Sequence, residues 1–186
     1  MGIVTTKIKS IVLAAGLTVG FSIPGTTQPV QSDDLMDRLR NSTPDTYRVI
    51  EREVMLEWSK SGSAAMDLLL ERGQDALETG DFQTAVEHLT ALTDHAPDFA
   101  EGFHARATAF FRLEQYGPAL ADLERTLELN PDHFGALTGV GYIFEELGYE
   151  QQALNALRKA RGIHPHYEEI TDLLEYLEDK VEGHAL

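Results

Sequence analysis

The sequence predicts an all-α solenoid, in which helical hairpins stack side by side, and the main reason is a repeat of 34 residues. Pro97, Pro131 and Pro165 stand 34 residues apart, twice in succession. A fixed period of this length is typical of repeat arrays, where each helix–turn–helix unit buries its apolar face only against its neighbours. Helix-forming residues dominate the chain, and the alternating apolar pattern of strands is lacking.

Four further columns of residues keep the same period and indicate which positions pack. Each column holds either small residues, which let two helices approach closely, or large apolar residues, which we expect in the core. The columns are Ala85, Ala119 and Ala153; Leu89, Leu123 and Leu157; Leu69, Phe103 and Leu137; and Gly73, Ala107 and Gly141.

These columns resemble the tetratricopeptide repeat family, whose unit is a helical hairpin of 34 residues. Three units follow from the resemblance, at 66–99, 100–133 and 134–167. The family's turn signature is Gly80-Asp81-Phe82 in the first unit, and it departs to Glu114-Gln115-Tyr116 and Gly148-Tyr149-Glu150 in the others. The resemblance implies a curved array in which the first helix of each unit lines a concave, partner-binding groove.

Each unit is expected to contain two helices, within an array of units spanning residues 63–167. The predicted ranges are 64–79 and 82–95, 98–113 and 117–130, and 132–147 and 150–162. After the array, residues 168–186 are predicted to form a capping helix and tail. A terminal helix of this kind gives a solenoid the polar outer face that solubility needs. Its inward residues would be Ile170, Leu173, Leu174 and Leu177.

Residues 33–62 are predicted to form a degenerate N-terminal helical pair, with helices at 33–40 and 44–58. Thr43 would cap the second helix, and Pro44 would lie in its first turn. The pair lacks the repeat signature, because Glu51 stands where the small alanine column would continue. We therefore expect it to cover the apolar face of the first unit. The residues expected to be buried are Tyr47, Ile50, Val54, Met55 and Trp58.

The N-terminus has the pattern of a secretory signal peptide, predicted at residues 1–25 and followed by a linker at 26–32. Lys7 and Lys9 precede a thirteen-residue apolar run, which ends at Pro24 and Gly25. Such a run is too short to cross a hydrocarbon core of about 30 Å. The absence of a clear Ala-x-Ala cleavage site leaves an uncleaved anchor as the alternative. The pattern predicts a periplasmic or secreted bacterial protein, with no stable membrane span after cleavage.

The composition argues against several classes of function. The chain has 31 acidic and 15 basic residues, a formal net charge of −16, and no cysteine. Nucleic-acid binding is disfavoured, because neutralising phosphates needs clustered Lys and Arg. The missing cysteines exclude disulfides, thiolate zinc sites and thiol nucleophiles. The acidic excess is explained either by solubility or by a basic partner.

The first helices of the three units supply the candidate groove residues. These are Leu70, Gln74 and Leu77; His104, Thr108, Phe111 and Arg112; and Thr138, Tyr142 and Glu145. Leu70, Leu77, Phe111 and Tyr142 would make apolar contacts, His104 and Thr108 hydrogen bonds, and Arg112 one cationic contact. The alternative is that all are ordinary solvent-facing positions. Gly135 and Gly139 share a helix face and could leave a cleft beside Tyr142, unless they are merely tolerated glycines.

No pattern of catalytic or metal-binding residues stands out. The seven histidines are scattered, so we expect turn or surface positions for them rather than a metal site. Adjacent acidic pairs such as Glu145 and Glu146 point to different faces and cannot act jointly as acid and base. The Lys and Asn clamp by which some family members hold a peptide's terminal carboxylate is also missing. We therefore predict a protein that is not an enzyme and has no cofactor or metal.

The predicted function is that of an exported, non-catalytic protein that binds partner proteins through its concave groove. The partner would be a protein or peptide that presents a basic or apolar extended segment. The alternative is a structural or assembly factor of the bacterial envelope, which self-associates or acts as a non-catalytic subunit of an exported complex.

Overall fold

The computed structural model describes residues 32–183, and within this range it contains nine α-helices, one short 3₁₀ helix and no strand. The helices are α1 Ser32–Arg40, α2 Tyr47–Trp58, α3 Ala64–Thr79, α4 Phe82–His95, α5 Ala100–Arg112, α6 Tyr116–Leu129, α7 Phe134–Glu146, α8 Glu150–Ile163 and α9 Thr171–Glu182. The 3₁₀ helix, Glu168–Ile170, lies just before α9. None of these helices combines the length and apolarity needed to span a bilayer. The predicted signal peptide and the linker up to residue 31 lie outside the described residues.

Three helical hairpins, α3–α4, α5–α6 and α7–α8, stack in chain order and confirm the predicted all-α array. The alanine column is fully buried, and so is most of the leucine column. A Cβ added to Gly73 would lie 2.5 Å from the side chain of Leu89, and one added to Gly141 would lie 2.5 Å from that of Leu157. Small residues are therefore required where the two helices of a hairpin approach each other.

The turn between the two helices of each hairpin has the same backbone geometry in all three units. Gly80, Glu114 and Gly148 occupy equivalent positions and have φ angles of 79°, 58° and 76°. The sequence of the second unit departs from the family's turn signature, but its backbone does not. Glu114 therefore adopts the left-handed conformation that glycine adopts in the other two units.

Helix α2 begins later than predicted, so the proposed capping role of Thr43 is wrong. The amide groups of Thr46 and Tyr47 both donate hydrogen bonds to the carbonyl oxygen of Thr43, at 3.0 Å each. These bonds close a turn over residues 43–46, and the first residue of α2 is Tyr47. Pro44 therefore lies in this turn rather than in the helix.

The α1–α2 hairpin packs on the third unit, and the prediction that it covers the first unit is wrong. The side chains of α1 and α2 belong to one core with those of α7, α8 and α9. From the hairpin this core takes Leu35, Met36, Leu39, Ile50 and Val54; from the rest of the chain it includes Phe134, Leu154, Leu157, Ile170, Leu174 and Leu177. The amphipathic pattern identified the buried faces, but it could not specify which apolar surface they cover.

Polar contacts and ring stacking reinforce this docking. Tyr47 Oη donates to Glu168 Oε1 at 2.7 Å, and Arg48 forms an ion pair with Glu168 at 3.1 Å. At the other end of α2, the indole ring of Trp58 stacks on the imidazole of His133 with centroids 4.4 Å apart. Both ends of α2 are therefore attached to residues that follow the second unit.

The last helix closes the open side of the third unit. Ile170, Leu174 and Leu177 are buried against α8 and α1–α2, while Leu173 is partly buried. The inward face predicted for this segment is confirmed.

Candidate functional site

A cavity of about 390 Å³ lies between α5 and α7. Four further parts of the chain complete its walls: α2, α6, the loop before the 3₁₀ helix and the 3₁₀ helix itself. The lining residues are Met55, His104, Ala107, Thr108, Phe111, Arg112, Leu123, Gly135, Thr138, Gly139, Tyr142, Ile143, Tyr167 and Glu169. This volume is within the range of small-ligand sites and also suits one large side chain of a bound peptide.

Hydrogen bonds hold two of the aromatic rings in the cavity wall. Tyr142 Oη donates to the carbonyl oxygen of Glu169 at 3.2 Å, and Tyr167 Oη donates to Glu169 Oε2 at 2.6 Å. Burial and the nearby Glu169 carboxylate raise the pKa of the Tyr142 hydroxyl, so that it remains a donor at neutral pH. Phe111 packs against Tyr116 with ring centroids 5.9 Å apart. The aromatic part of the wall is therefore pre-formed.

Gly135 and Gly139 line the cavity beside Tyr142, where the sequence predicts a cleft. A Cβ on Gly135 would lie 3.1 Å from His104 Nε2, and a Cβ on Gly139 would lie 3.1 Å from the side chain of Leu123. Side chains at these positions would displace His104 and Leu123. The two glycines thus maintain the shape of the wall.

The two threonines of the cavity differ in how their hydroxyl groups are satisfied. Thr108 Oγ1 donates to the carbonyl oxygen of His104 at 3.1 Å, within its own helix. Thr138 is only 3% exposed, and its Oγ1 has no hydrogen-bond partner among the described residues. A buried hydroxyl without a partner carries a desolvation cost, and such groups in native structures call for an explanation.

Three polar side chains converge next to the cavity, contrary to the expectation of scattered histidines. Ligand atoms of Glu101, His104 and His133 lie within 4.8 Å of one another. Glu101 Oε1 is 3.5 Å from His104 Nδ1, and Glu101 Oε2 is 3.0 Å from His133 Nε2. His133 and His164 lie at helix ends but are buried, so a surface position is wrong for both.

The hydrogen bonds of this cluster match a structural network better than a metal centre. His133 Nδ1 accepts from the Ala136 amide at 3.1 Å, so the ring proton resides on Nε2, which donates to Glu101. A metal ion would need the lone pair of Nε2 and therefore a proton on Nδ1, facing the Ala136 amide. Helix α7 is thus capped by His133 through a bond that metal binding would break.

The charges of the cluster compensate one another. Burial opposes ionisation of Glu101, but the charge of His104 and the hydrogen bonds from His104 and His133 outweigh it and lower its pKa to about 2. Burial, followed by the charge of His104, lowers the pKa of His133. Glu101 is therefore an anion at neutral pH and fixes the orientation of both rings.

Six of the ten predicted groove residues line the cavity, and Leu70 does not belong in it. The six are His104, Thr108, Phe111, Arg112, Thr138 and Tyr142. Leu70 is 2% exposed and packs in the core with Leu89 and Leu92, so the expectation that it is free for a partner is wrong. Leu77 is partly buried against the same core. Gln74 is exposed and Glu145 partly exposed, and neither lines the cavity.

Sequence reasoning missed the residues that come from outside the repeat units. Met55, predicted to be buried, is 39% exposed and faces the cavity from α2. Tyr167 and Glu169 contribute from the segment that precedes α9. These residues reach the cavity only because the N-terminal hairpin and the C-terminal segment meet at the third unit, and no periodic pattern indicates that contact.

A second, more polar cavity of about 620 Å³ adjoins the first. It lies between α2 and the 3₁₀ helix and shares Tyr167 and Glu169 with the first cavity. Its other lining residues are Tyr47, Arg48, Glu51, Arg52 and Glu168. The two cavities together provide an apolar compartment beside a charged one.

Comparison with known proteins agrees with this architecture. The tetratricopeptide repeat model matches residues 104–168. A TPR repeat-containing protein of Rhizobium etli is 33% identical over 152 residues, covering 81% of this chain and 74% of that protein. This chain belongs to the tetratricopeptide repeat family. The human SGT1 homologue, another TPR relative, is 35% identical over 81 residues, covering 44% of this chain but only 22% of that protein.

Solved TPR structures share the fold at lower sequence identity. The first TPR domain of Spaghetti (RPAP3), bound to an HSP90 peptide, superposes with a TM-score of 0.60 at 22% identity, covering 63% of this chain and 93% of that domain. The TPR2B domain of yeast Sti1, in complex with an Hsp70 peptide, gives 0.58 at 23% identity, covering 63% of this chain and 98% of that domain. At this level of identity the likeness establishes the fold alone.

Proposed function

We propose that this chain is an exported, non-catalytic TPR protein that binds an extended segment of a partner protein in the cavity between α5 and α7. The observation that carries the proposal is the apolar cavity of about 390 Å³, formed mainly by the first helices of the second and third units. The peptide complexes of the RPAP3 and Sti1 domains support peptide binding by this fold. A non-catalytic role is supported by the Glu101 cluster, whose polar atoms are engaged with one another.

The lining of the cavity favours an apolar anchor side chain over a terminal carboxylate. Arg112 is the only Lys or Arg among the lining residues, and its guanidinium stacks on the ring of Phe82 at 4.5 Å. A single exposed cation provides weak recognition of an anion in water. The net charge of −16 favours basic residues on either side of the anchor, because they would speed up encounter at low salt.

Export is supported by the N-terminal pattern of Lys7, Lys9 and the apolar run that ends at Pro24. Fusing residues 1–31 to a reporter enzyme that is active only outside the cytoplasm tests this part of the proposal. Reporter activity is the expected result. Replacing Leu13 and Leu17 by aspartate should abolish it, since charges in the apolar run block insertion.

Partner capture tests the binding proposal. Native-host cells that express the full chain are crosslinked, and the captured proteins are identified by mass spectrometry. Thr108→Phe fills the cavity from its wall and should remove the specific partner, while Leu147→Ala, at an exposed residue outside the cavity, should retain it. Undiminished capture by a folded Thr108→Phe variant would overturn the proposal.

A further inference from the structure

The apolar cavity contains two polar atoms that the protein itself leaves without a hydrogen bond. One is the Oγ1 of Thr138, which is buried and has no partner among the described residues. The other is Nε2 of His104, a residue that lines the cavity and whose described hydrogen bond is made by Nδ1. Since the Glu101 carboxylate can only accept, His104 Nδ1 donates to it, and Nε2 of the neutral ring is an acceptor.

Both polar atoms lie on the same side of the cavity. His104 Nε2 is 3.1 Å from the position that a Cβ of Gly135 would occupy, so no side chain of α7 screens it there. Thr138 follows Gly135 by three residues, and Cβ positions at this spacing on a helix are about 5–6 Å apart. A ligand atom placed between them could therefore reach an acceptor and a hydroxyl together.

The rest of the wall suits an aromatic ring. Phe111, Tyr142 and Tyr167 contribute three rings to the lining, and Met55 adds a polarisable thioether. Aromatic groups gain edge-to-face contacts in such surroundings in addition to the burial of their area. The complementary ligand is thus a ring that carries one polar group able to donate and to accept.

We propose that this cavity binds a phenolic group, in the form of a tyrosine side chain of the partner segment, whose hydroxyl donates to His104 Nε2 and accepts from Thr138 Oγ1. The inference rests on the proposed function and identifies the anchor residue of the bound segment. A site built to hydrogen-bond a hydroxyl rejects the analogue that lacks it, because its own polar groups then remain unpaired. Tyrosine is accordingly preferred over phenylalanine.

The test is an NMR titration of the isotope-labelled full chain with N-acetyl-tyrosinamide, N-acetyl-phenylalaninamide and p-cresol. We expect the amide signals of α5 and α7 to shift, and the tyrosine probe to bind at least about tenfold more tightly than the phenylalanine probe. Thr138→Val keeps the side-chain shape and removes the hydroxyl. It should weaken binding of the tyrosine probe severalfold and leave binding of the phenylalanine probe unchanged.

Thr108→Val is the matched control, because the Thr108 hydroxyl is already bonded to the His104 carbonyl and should not contribute to the preference. Equal binding of the two amino-acid probes, or a preference that survives in Thr138→Val, overturns the inference. A p-cresol affinity equal to that of the tyrosine probe also overturns the assignment to a chain segment, because a free phenol would then suffice. Partner capture that depends on Thr108→Phe would still support the proposed function in each of these cases.

Discussion

At the scale of single residues, Glu114 shows how the repeat imposes a backbone conformation on an unsuitable side chain. Its φ of 58° lies in the left-handed region, where the equivalent positions carry Gly80 and Gly148. A residue with a Cβ pays roughly 1–2 kcal/mol for this conformation. The amide groups of Glu114 and Gln115 nevertheless donate to the carbonyl oxygens of Phe111 and Phe110, at 2.8 Å each, so the turn closes as in the other units.

Replacing Glu114 by glycine should therefore stabilise the protein. We expect the free energy of unfolding to rise by about 0.5–1 kcal/mol, because the relief of backbone strain exceeds the entropy that glycine loses on folding. Urea unfolding followed by circular dichroism measures this change. Glu114→Ala removes the same side chain but keeps the strain, so a gain of equal size in both variants would contradict the explanation.

At the scale of elements, the α1–α2 hairpin is a structural component of the third unit rather than a cap of the first. Val54 is 1% exposed and belongs to the core shared with α7, α8 and α9, whereas Val49 of the same helix is 50% exposed. The two valines differ mainly in burial. They therefore separate the effect of docking from that of helix propensity.

Val54→Ala should lower the free energy of unfolding by roughly 2 kcal/mol, from lost burial of two carbon groups and the cavity that remains. Val49→Ala should change it by less than about 0.5 kcal/mol, as is usual for exposed positions. Thermal and urea unfolding of both variants provide the comparison. Equal effects of the two substitutions would mean that the hairpin does not dock as described.

At the scale of the whole molecule, His164 links the N-terminal hairpin to the C-terminal unit and makes stability depend on pH. Its ring is fully buried between those of Tyr47, Phe134 and Tyr167 and makes no hydrogen bond within the described chain. Glu51 Oε1 of α2 lies 3.6 Å from its Nε2. Burial, followed by the charges of His166 and Arg161, lowers the pKa of His164 to about 4.

Stability should therefore decrease as the pH falls from about 6.5 towards 4. The unfolded chain takes up a proton on histidine near pH 6.5, whereas folded His164 resists protonation until about pH 4, so acid favours the unfolded state over this interval. Buried His133, whose pKa is also lowered, contributes with the same sign. Urea midpoints at pH 7, 6 and 5 measure the decrease.

His164→Phe should reduce this pH dependence, since it keeps an aromatic ring and removes the titrating group. His95→Gln, at an exposed residue of α4, should leave the dependence unchanged and serves as the control. A pH profile of His164→Phe identical to that of the original chain would rule out His164 as a cause.

The periodic part of the molecule could be predicted from its sequence, and the site only in part. Columns of alanine, leucine and proline report the contacts between neighbouring hairpins, because those contacts recur in each unit. The error at Leu70 has a physical cause. Positions 70, 104 and 138 share one register, and Leu70 and Thr138 are buried whereas His104 is only partly so. This register faces the adjacent unit, and only His104 and Thr138 reach the cavity.

The docking of α1–α2 could not be predicted, because hydrophobic spacing identifies a buried face without identifying its partner surface. The same limit hid Met55, Tyr167 and Glu169 from the predicted site. The clustering of Glu101, His104 and His133 was missed for a related reason. His133 lies 32 residues after Glu101, and their proximity depends on the stacking of α7 beside α5.

The return of the first hairpin to the last unit has a consequence for how a newly made chain folds. Tyr47 meets Glu168 across 121 residues, and Ser42 meets His166 across 124, whereas the array itself is built from contacts between neighbours in the chain. Helices synthesised first must wait until the last ones have left the ribosome or crossed the membrane. Because such distant pairings form slowly, a growing chain exposes the leucine-rich side of its earliest helices for most of its synthesis.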